Sequence, residues 1–200
     1  QEAVPRRLAK TVAGPHAGKF IVADTDAFNN GAAEWGAVFV VDPAGASPGN
    51  QVVLSSRTVP DTATPFYWLT GLAVDAATGD IYLSDQGEPG APATQAPRIF
   101  KVNPTTGART VLFTASGGEL VTPVGLLVDG ANLIIADAGA RKLMSMPTTG
   151  GAPSVVSSDA QFVYPTHVAK SGANYIVSDG KVNAGVGERK VFRVTGGVAT

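Results

Sequence analysis

The chain has 200 residues, a formal net charge of −1 and only 16% charged residues, so it carries no basic footprint for nucleic acid. Hydrophobic residues make up 44% of it, which argues against disorder, yet no apolar run approaches the roughly 18–20 residues that span a bilayer. It contains no cysteine, which excludes disulfides, thiolate metal sites and a cysteine nucleophile.

An apolar run that ends in a small residue and an aspartate occurs four times along the chain. The copies are residues 20–24, 81–85, 133–137 and 175–179. A related strand pattern precedes each copy, separated from it by a short turn. Self-similarity at a spacing of tens of residues is typical of repeat proteins. Each repeat is therefore predicted to begin with two antiparallel strands joined by a tight turn.

Two more strands are predicted in each repeat, after a loop of variable length. Apolar and polar residues alternate in the third strand of the second repeat, residues 98–102, as expected for a half-exposed strand. Four antiparallel strands repeated radially are the blade of a β-propeller. We therefore predict an all-β propeller, a single domain over residues 1–200, with blades at about 5–58, 65–116, 122–160 and 164–200.

Particular motifs of the repeats resemble a known propeller family. They are Pro-x-Gly-Leu-x-Val-Asp at residues 123–129, a strand ending in Ala-Asp or Ser-Asp, and Asn-Pro-x-x-Gly at residues 103–107. This pattern resembles the NHL-type six-bladed propellers, particularly secreted bacterial repeat proteins, and residues 24–31 with 38–43 fit that subgroup. The resemblance implies an extracellular or periplasmic location. It leaves the activity open, because such propellers serve as binding scaffolds, lactonases and metal-dependent lyases.

The sequence shows about four blades, whereas a six-bladed ring needs roughly 250 residues at about 40–45 per blade. Residues 195–200 read as the turn into a fourth strand, so the last blade is predicted to lack its outer strand. The chain is then a fragment of a longer one, or a ring of four blades, or part of a ring completed by partner subunits. An unpaired outer strand would favour association with further copies.

Candidate site residues are expected at one end of the propeller. The loop before each first strand and the loop after each second strand lie there, and we call this end the loop-bearing face. His167 takes the place that Gly71 and Gly125 hold in neighbouring repeats, near the central channel. Imidazole suits a catalytic base or a metal ligand, as the resemblance to propeller lyases implies. The alternative is that His167 only fills the space that glycine leaves empty.

The repeated aspartates suggest either a cation site or a structural role. A ring of Asp24, Asp85, Asp137 and Asp179 could bind Ca²⁺ or Mg²⁺ through oxygen ligands. An aspartate at a fixed strand end also accepts backbone N–H bonds, and its presence in every repeat favours that role. The first repeat alone adds further oxygen ligands after its aspartate, so the candidate metal site is Asp24, Asp26 and Asn29.

Aromatic residues concentrate before the first strand of the second repeat. Trp35, Phe66, Tyr67 and Trp68, with Arg7, are candidates for binding a ligand on the loop-bearing face. Alternatively, the aromatic rings plug the channel.

Three functions remain open at this point. They are recognition of a protein or carbohydrate partner, metal-dependent lactonase or lyase chemistry with His167 as base, and self-assembly through open blade edges.

Overall fold

A computed structural model describes residues 5–25, 27, 36–45, 50–60, 62–87, 95–180 and 189–200. These residues form four antiparallel sheets of four strands, each sheet ordered as its strands occur in the chain. The chain is therefore an all-β propeller with four blades, as the repeat pattern predicts. The strands of the first blade are β1 (Pro5–Lys10), β2 (Phe20–Asp24), β3 (Ala37–Val41) and β4 (Gln51–Ser56).

The other three blades follow the same order. The second contains β5 (Leu69–Val74), β6 (Ile81–Asp85), β7 (Arg98–Val102) and β8 (Arg109–Thr114). The third contains β9 (Pro123–Asp129), β10 (Asn132–Asp137), β11 (Lys142–Pro147) and β12 (Ser154–Ser157). The fourth contains β13 (Pro165–Ser171), β14 (Asn174–Asp179), β15 (Lys190–Thr195) and β16 (Val198–Ala199). No helix in the described part of the chain is long and apolar enough to cross a membrane.

The fourth blade corrects one prediction. It has an outer strand, β16, which pairs with Val194 and Thr195 of β15, and Arg193 and Thr200 exchange backbone hydrogen bonds of 2.9 Å beside it. The sequence hides this strand because two residues are too few to show a period-2 pattern. The outer edge of β15 is thus paired near its end. The expected association with further copies through a wholly unpaired strand edge therefore loses its basis.

The core lies between the blades. Three buried apolar clusters join blades 1 and 2, 2 and 3, and 3 and 4. They contain Val38 with Leu72, Ile99 with Leu126, and Leu143 with Val177, respectively. Hydrogen bonds add to this packing, because Thr25 donates to the carbonyl of Leu69 at 2.7 Å and Thr70 to that of Pro123 at 2.5 Å. Each blade is therefore stabilised by burying an apolar face against the next one.

The two end faces of this four-blade arc are more exposed. Leu8 occupies the register position of Leu72 and Leu126, yet it is 64% exposed, whereas they are 9% and 8% exposed. Val191 occupies the position of Ile99 and Leu143, and it is 69% exposed, whereas both of those are fully buried. Among the described residues, no apolar cluster joins blade 4 to blade 1.

Candidate functional site

The repeated aspartates hold the loops of the loop-bearing face in place. Asp85 is fully buried, and it accepts hydrogen bonds from the backbone N–H groups of Tyr67 (2.7 Å), Trp68 (2.8 Å) and Gly87 (2.8 Å). Two of these donors precede the first strand of the blade, and the third follows the second strand. One carboxylate therefore ties together the two loops that form this face of the blade.

The same arrangement recurs in the next two blades. Asp137 accepts from Val121 (2.8 Å), Thr122 (2.9 Å) and Ala140 (2.9 Å). Asp179 accepts from Val163 (2.8 Å) and Tyr164 (2.9 Å). The predicted structural role of the aspartates is thus confirmed in these blades. Asp24 ends β2 at the corresponding position and is 4% exposed.

Metal binding finds no further support in the described ranges. They contain no group of three or more histidine, aspartate or glutamate residues placed to hold an ion. Asp26 and Asn29 of the predicted metal site lie outside the described residues, as do Trp35, Asn30 and Glu34.

A half-exposed aromatic platform lies before β5. Asp85 fixes the backbone of both Tyr67 and Trp68, whose side chains are half-buried. The Arg98 guanidinium lies 4.8 Å from the centre of the Tyr67 ring and equally far from that of Phe100. Arg98 is 6% exposed, donates to the Pro65 carbonyl at 2.7 Å and lies 3.5 Å from Asp85. The Tyr67 ring is therefore supported from below by a buried cation.

Phe66 has a different position from its two neighbours. It is fully buried in the cluster between blades 1 and 2, with its ring edge-on to Phe100 at 5.3 Å and the Arg109 guanidinium 5.1 Å from its centre. Phe66 is therefore a core residue rather than a ligand contact. Arg98 was missed in the sequence because it belongs to a strand, and only the pairing of Arg98 with Asp85 in the sheet brings it under Tyr67.

Other apolar and aromatic residues extend the platform to neighbouring blades. The aspartate hydrogen bonds make Tyr67 equivalent to Val121 and Val163, and Trp68 equivalent to Tyr164. Val121 is 46% exposed and Val163 is 40% exposed. The loop-bearing face thus presents a row of apolar side chains, each on a loop fixed by a buried carboxylate.

Arg7 and His167 occupy equivalent positions at the central channel. Every first strand shifts register near its start, and just after the shift the four blades carry Arg7, Gly71, Gly125 and His167. A Cβ on Gly71 would lie 2.6 Å from the Val124 carbonyl oxygen, and one on Gly125 would lie 2.6 Å from that of Thr166. The next blade thus enforces glycine in blades 2 and 3, and only the first and fourth blades carry side chains there.

These two side chains line one cavity of about 280 Å³. Arg7 donates to the Val124 carbonyl across the channel at 3.4 Å, and His167 Nδ1 lies 3.2 Å from Thr166 Oγ1. Loss of hydration at the channel wall, followed by the positive charge of Arg7, lowers the pKa of His167. This shift favours the neutral imidazole, and the exposed His167 side chain faces the cavity.

Comparisons with solved structures agree with the fold. A chain in the crystal structure of a nidogen/laminin complex matches with a TM-score of 0.59 at 20% identity, over 88% of this chain and 54% of that one. Catalytically inactive virginiamycin B lyase from Staphylococcus aureus with quinupristin matches with a TM-score of 0.64 at 12% identity, over 100% and 55%. At such identities the likeness shows the propeller fold alone, and the chain spans about half the length of these matched chains. No protein-family model and no curated protein sequence matches it.

Proposed function

We propose that this chain is an extracellular recognition propeller of the NHL type, whose loop-bearing face binds a protein or carbohydrate partner through Tyr67 and Trp68. The observation that carries the proposal is the fixed aromatic platform: Asp85 holds both backbone N–H groups, and Arg98 supports the Tyr67 ring. Rigid aromatic side chains bind with little loss of conformational entropy, and tyrosine and tryptophan are enriched at the energetic centres of interfaces.

The neighbouring blades support a protein as the partner. Val121 and Val163 present exposed aliphatic side chains at positions equivalent to Tyr67. An aromatic centre with an apolar surround on a rigid base suits a polypeptide surface. The nidogen/laminin complex is a precedent for a protein partner in a structure that shares this fold.

A capture experiment with matched variants tests the proposal. The immobilised chain is exposed to extracellular protein fractions and, in parallel, to a glycan array. We expect Tyr67→Ala to weaken binding of the captured partner by about tenfold or more. Thr149→Ala, in the exposed turn between β11 and β12 at the opposite end, serves as the control and should bind as the wild type does. Equal binding by both variants would contradict the proposal.

A second candidate, lactonase or lyase chemistry, is favoured by His167. An imidazole whose lowered pKa favours the neutral form, and which faces a cavity, can act as a general base. The virginiamycin B lyase likeness is a precedent for an enzyme with this fold. Metal analysis after mild purification tests the metal-dependent form. One Ca²⁺ or Mg²⁺ per chain that is lost in His167→Ala supports it, and no ion, with stability unchanged by a chelator, contradicts it.

A third candidate, self-assembly, is favoured by the end faces rather than by a blade edge. Leu8 and Val191 are exposed at positions that are buried between the other blades. Copies that join head to tail would cover both faces at once. Light scattering should then show an oligomer that dissociates in Leu8→Lys and in Val191→Lys. A monomeric wild type at high protein concentration would contradict this candidate.

A further inference from the structure

We propose that the central channel binds a small aliphatic carboxylate, with its anionic group between Arg7 and His167 and its hydrocarbon part against the leucine side chains. This site is separate from the aromatic platform, so its test does not depend on the macromolecular partner. It also differs from the metal site of the second candidate, because its ligand is an anion and Arg7 takes part in binding it.

The lining of the cavity matches such a ligand in polarity and size. Two basic side chains and four aliphatic side chains line it, with no acidic residue among the described lining residues. A volume of about 280 Å³ suits a small molecule. The residues that line it are Arg7, Leu8, Leu72, Gly125, Leu126, His167 and Val168.

The fold places both polar side chains in the channel for one reason. Arg7 and His167 follow the same register shift in the first strands of blades 1 and 4, where blades 2 and 3 can only carry glycine. The glycines leave the middle of the channel wall as bare backbone. The two side chains therefore approach one shared space from the two ends of the arc.

Arg7 has suitable donors for an anion. Its guanidinium reaches the Val124 carbonyl of blade 3 at 3.4 Å. A guanidinium carries five N–H donors in a planar fork, so it serves several acceptors at once and matches a carboxylate in geometry.

His167 supplies the second donor after taking up a proton. Its Nδ1 faces Thr166 Oγ1, and its Nε2 is the other donor of the imidazolium. Arg7 is the other charged residue of the cavity lining, while Asp129 of β9 and Lys170 of β13 pair with each other near the other end of their strands. A bound carboxylate offsets the repulsion between Arg7 and His167. It should therefore raise the pKa of His167.

Proton NMR of the two histidines in the chain measures this shift directly. The imidazole C–H resonance of His167 is titrated against pH with and without hexanoate. His16 is the internal control, because it lies in a 3₁₀ turn (Gly14–His16) between β1 and β2, with Nε2 2.5 Å from the Pro104 carbonyl oxygen. We expect hexanoate to raise the pKa of His167 in a saturable manner and to leave His16 unchanged.

Acetate and hexanol, as two further probes, separate the contribution of the anionic group to binding from that of the alkyl chain. Each buried methylene contributes a factor of about four in affinity, so hexanoate should bind at least about tenfold more tightly than acetate even in a partly open channel. Hexanol should not raise the pKa of His167. Equal affinity for acetate and hexanoate would overturn the assignment of the leucine walls, and an unchanged His167 titration with hexanoate would overturn the whole proposal.

A pair of variants on β1 completes the test. Arg7→Gln should weaken hexanoate binding by about tenfold or more, because it removes a charge-assisted hydrogen-bond donor. Lys10→Gln removes the same charge from an exposed residue of the same strand and should leave binding unchanged. If both variants bind equally well, the anion does not contact Arg7 and the proposal is wrong. Amide spectra that keep the dispersion of the wild type verify that the variants remain folded.

Discussion

Removing the carboxylate of Asp137 should destabilise the protein more than its single side chain suggests. Asp137 is fully buried and accepts backbone hydrogen bonds from Val121, Thr122 and Ala140 at 2.8–2.9 Å. A hydrogen bond to a charged group contributes about 1.5–3 kcal/mol. The loop donors are only partly buried, so water can replace some of each bond and the low end applies. We expect Asp137→Ala to lower the unfolding free energy by about 4 kcal/mol.

Asp137→Asn should show a smaller loss for a specific geometric reason. Oδ1 accepts from Thr122 and Ala140, and Oδ2 accepts from Val121. An asparagine amide can keep its oxygen at the first position, but its NH₂ group then faces the Val121 N–H. The hydrogen bond from Val121 is lost, and two N–H donors then face each other. We therefore expect the unfolding free energy to fall by about 2 kcal/mol.

The matched control is Asp75→Asn. Asp75 accepts from the N–H groups of Ala77 (2.7 Å) and Thr78 (3.3 Å) in an exposed turn. Asn103 makes the same turn after β7, where it accepts from Thr105 and Thr106 at 2.8 and 3.0 Å. Asparagine therefore already performs this role in the chain, and the change should lie within about 0.5 kcal/mol of zero.

Urea unfolding followed by circular dichroism measures all three variants. The slope of the unfolding free energy against urea concentration should be the same for all variants. The urea concentration at the midpoint should be highest for Asp75→Asn, lower for Asp137→Asn and lowest for Asp137→Ala. For a chain of this size, 4 kcal/mol corresponds to a melting temperature lower by about 8–16 °C. Equal effects of Asp137→Asn and Asp75→Asn would refute the loop-fixing role, because that role requires Asp137 to accept on both oxygens.

Three other changes have defined outcomes. Gly125→Ala places a Cβ 2.6 Å from the Thr166 carbonyl oxygen and 2.9 Å from the His167 Cα. Urea unfolding should therefore show an unfolding free energy lower by about 1–3 kcal/mol. An unchanged value would mean that the first strands of blades 3 and 4 lie further apart. Phe66→Ala empties a fully buried site beside Phe100 and should cost about 3–5 kcal/mol, whereas a surface ligand contact would cost little. His167→Gln should change how the unfolding free energy depends on pH, because the pKa of His167 is lower in the folded than in the unfolded chain. As the pH falls from above 6.5 through the folded-state pKa, the wild type should therefore lose stability relative to the variant. Parallel pH profiles would contradict that assignment.

The repeat and its strands were readable from the sequence because they are local. The apolar run before each aspartate and the turn before it recur with the same chemistry, and the fold follows from that recurrence. The outer strand of blade 4 was missed because Val198 and Ala199 are too few residues to show a pattern. The structural role of the aspartates was predicted, but the donors in the loop before the first strand were not, since Tyr67 and Asp85 meet only in the folded sheet.

The candidate site depends more strongly on tertiary packing. Phe66 and Tyr67 are adjacent aromatic residues, and the sequence made both equally good candidates for ligand binding. In the structure, packing against blade 1 buries Phe66, whereas Tyr67 stays half-exposed. The repeats showed that His167 takes the position that glycine holds in blades 2 and 3. Arg7 aligns with His167 in the same strand pattern, because Pro5-Arg6-Arg7-Leu8 corresponds to Pro165-Thr166-His167-Val168. The cavity that the two side chains share was not readable, because it forms only when the blades pack together.

Hydrogen exchange of the chain with its captured partner tests the central claim, that the loop-bearing face is the binding surface. The account predicts slower exchange on binding in residues 65–68, 120–122 and 162–164, the loops that the aspartates hold. It predicts no change in the opposite turns at residues 76–79, 130–131, 148–151 and 172–173. Protection confined to those opposite turns, with the aspartate-held loops unchanged, would contradict the account.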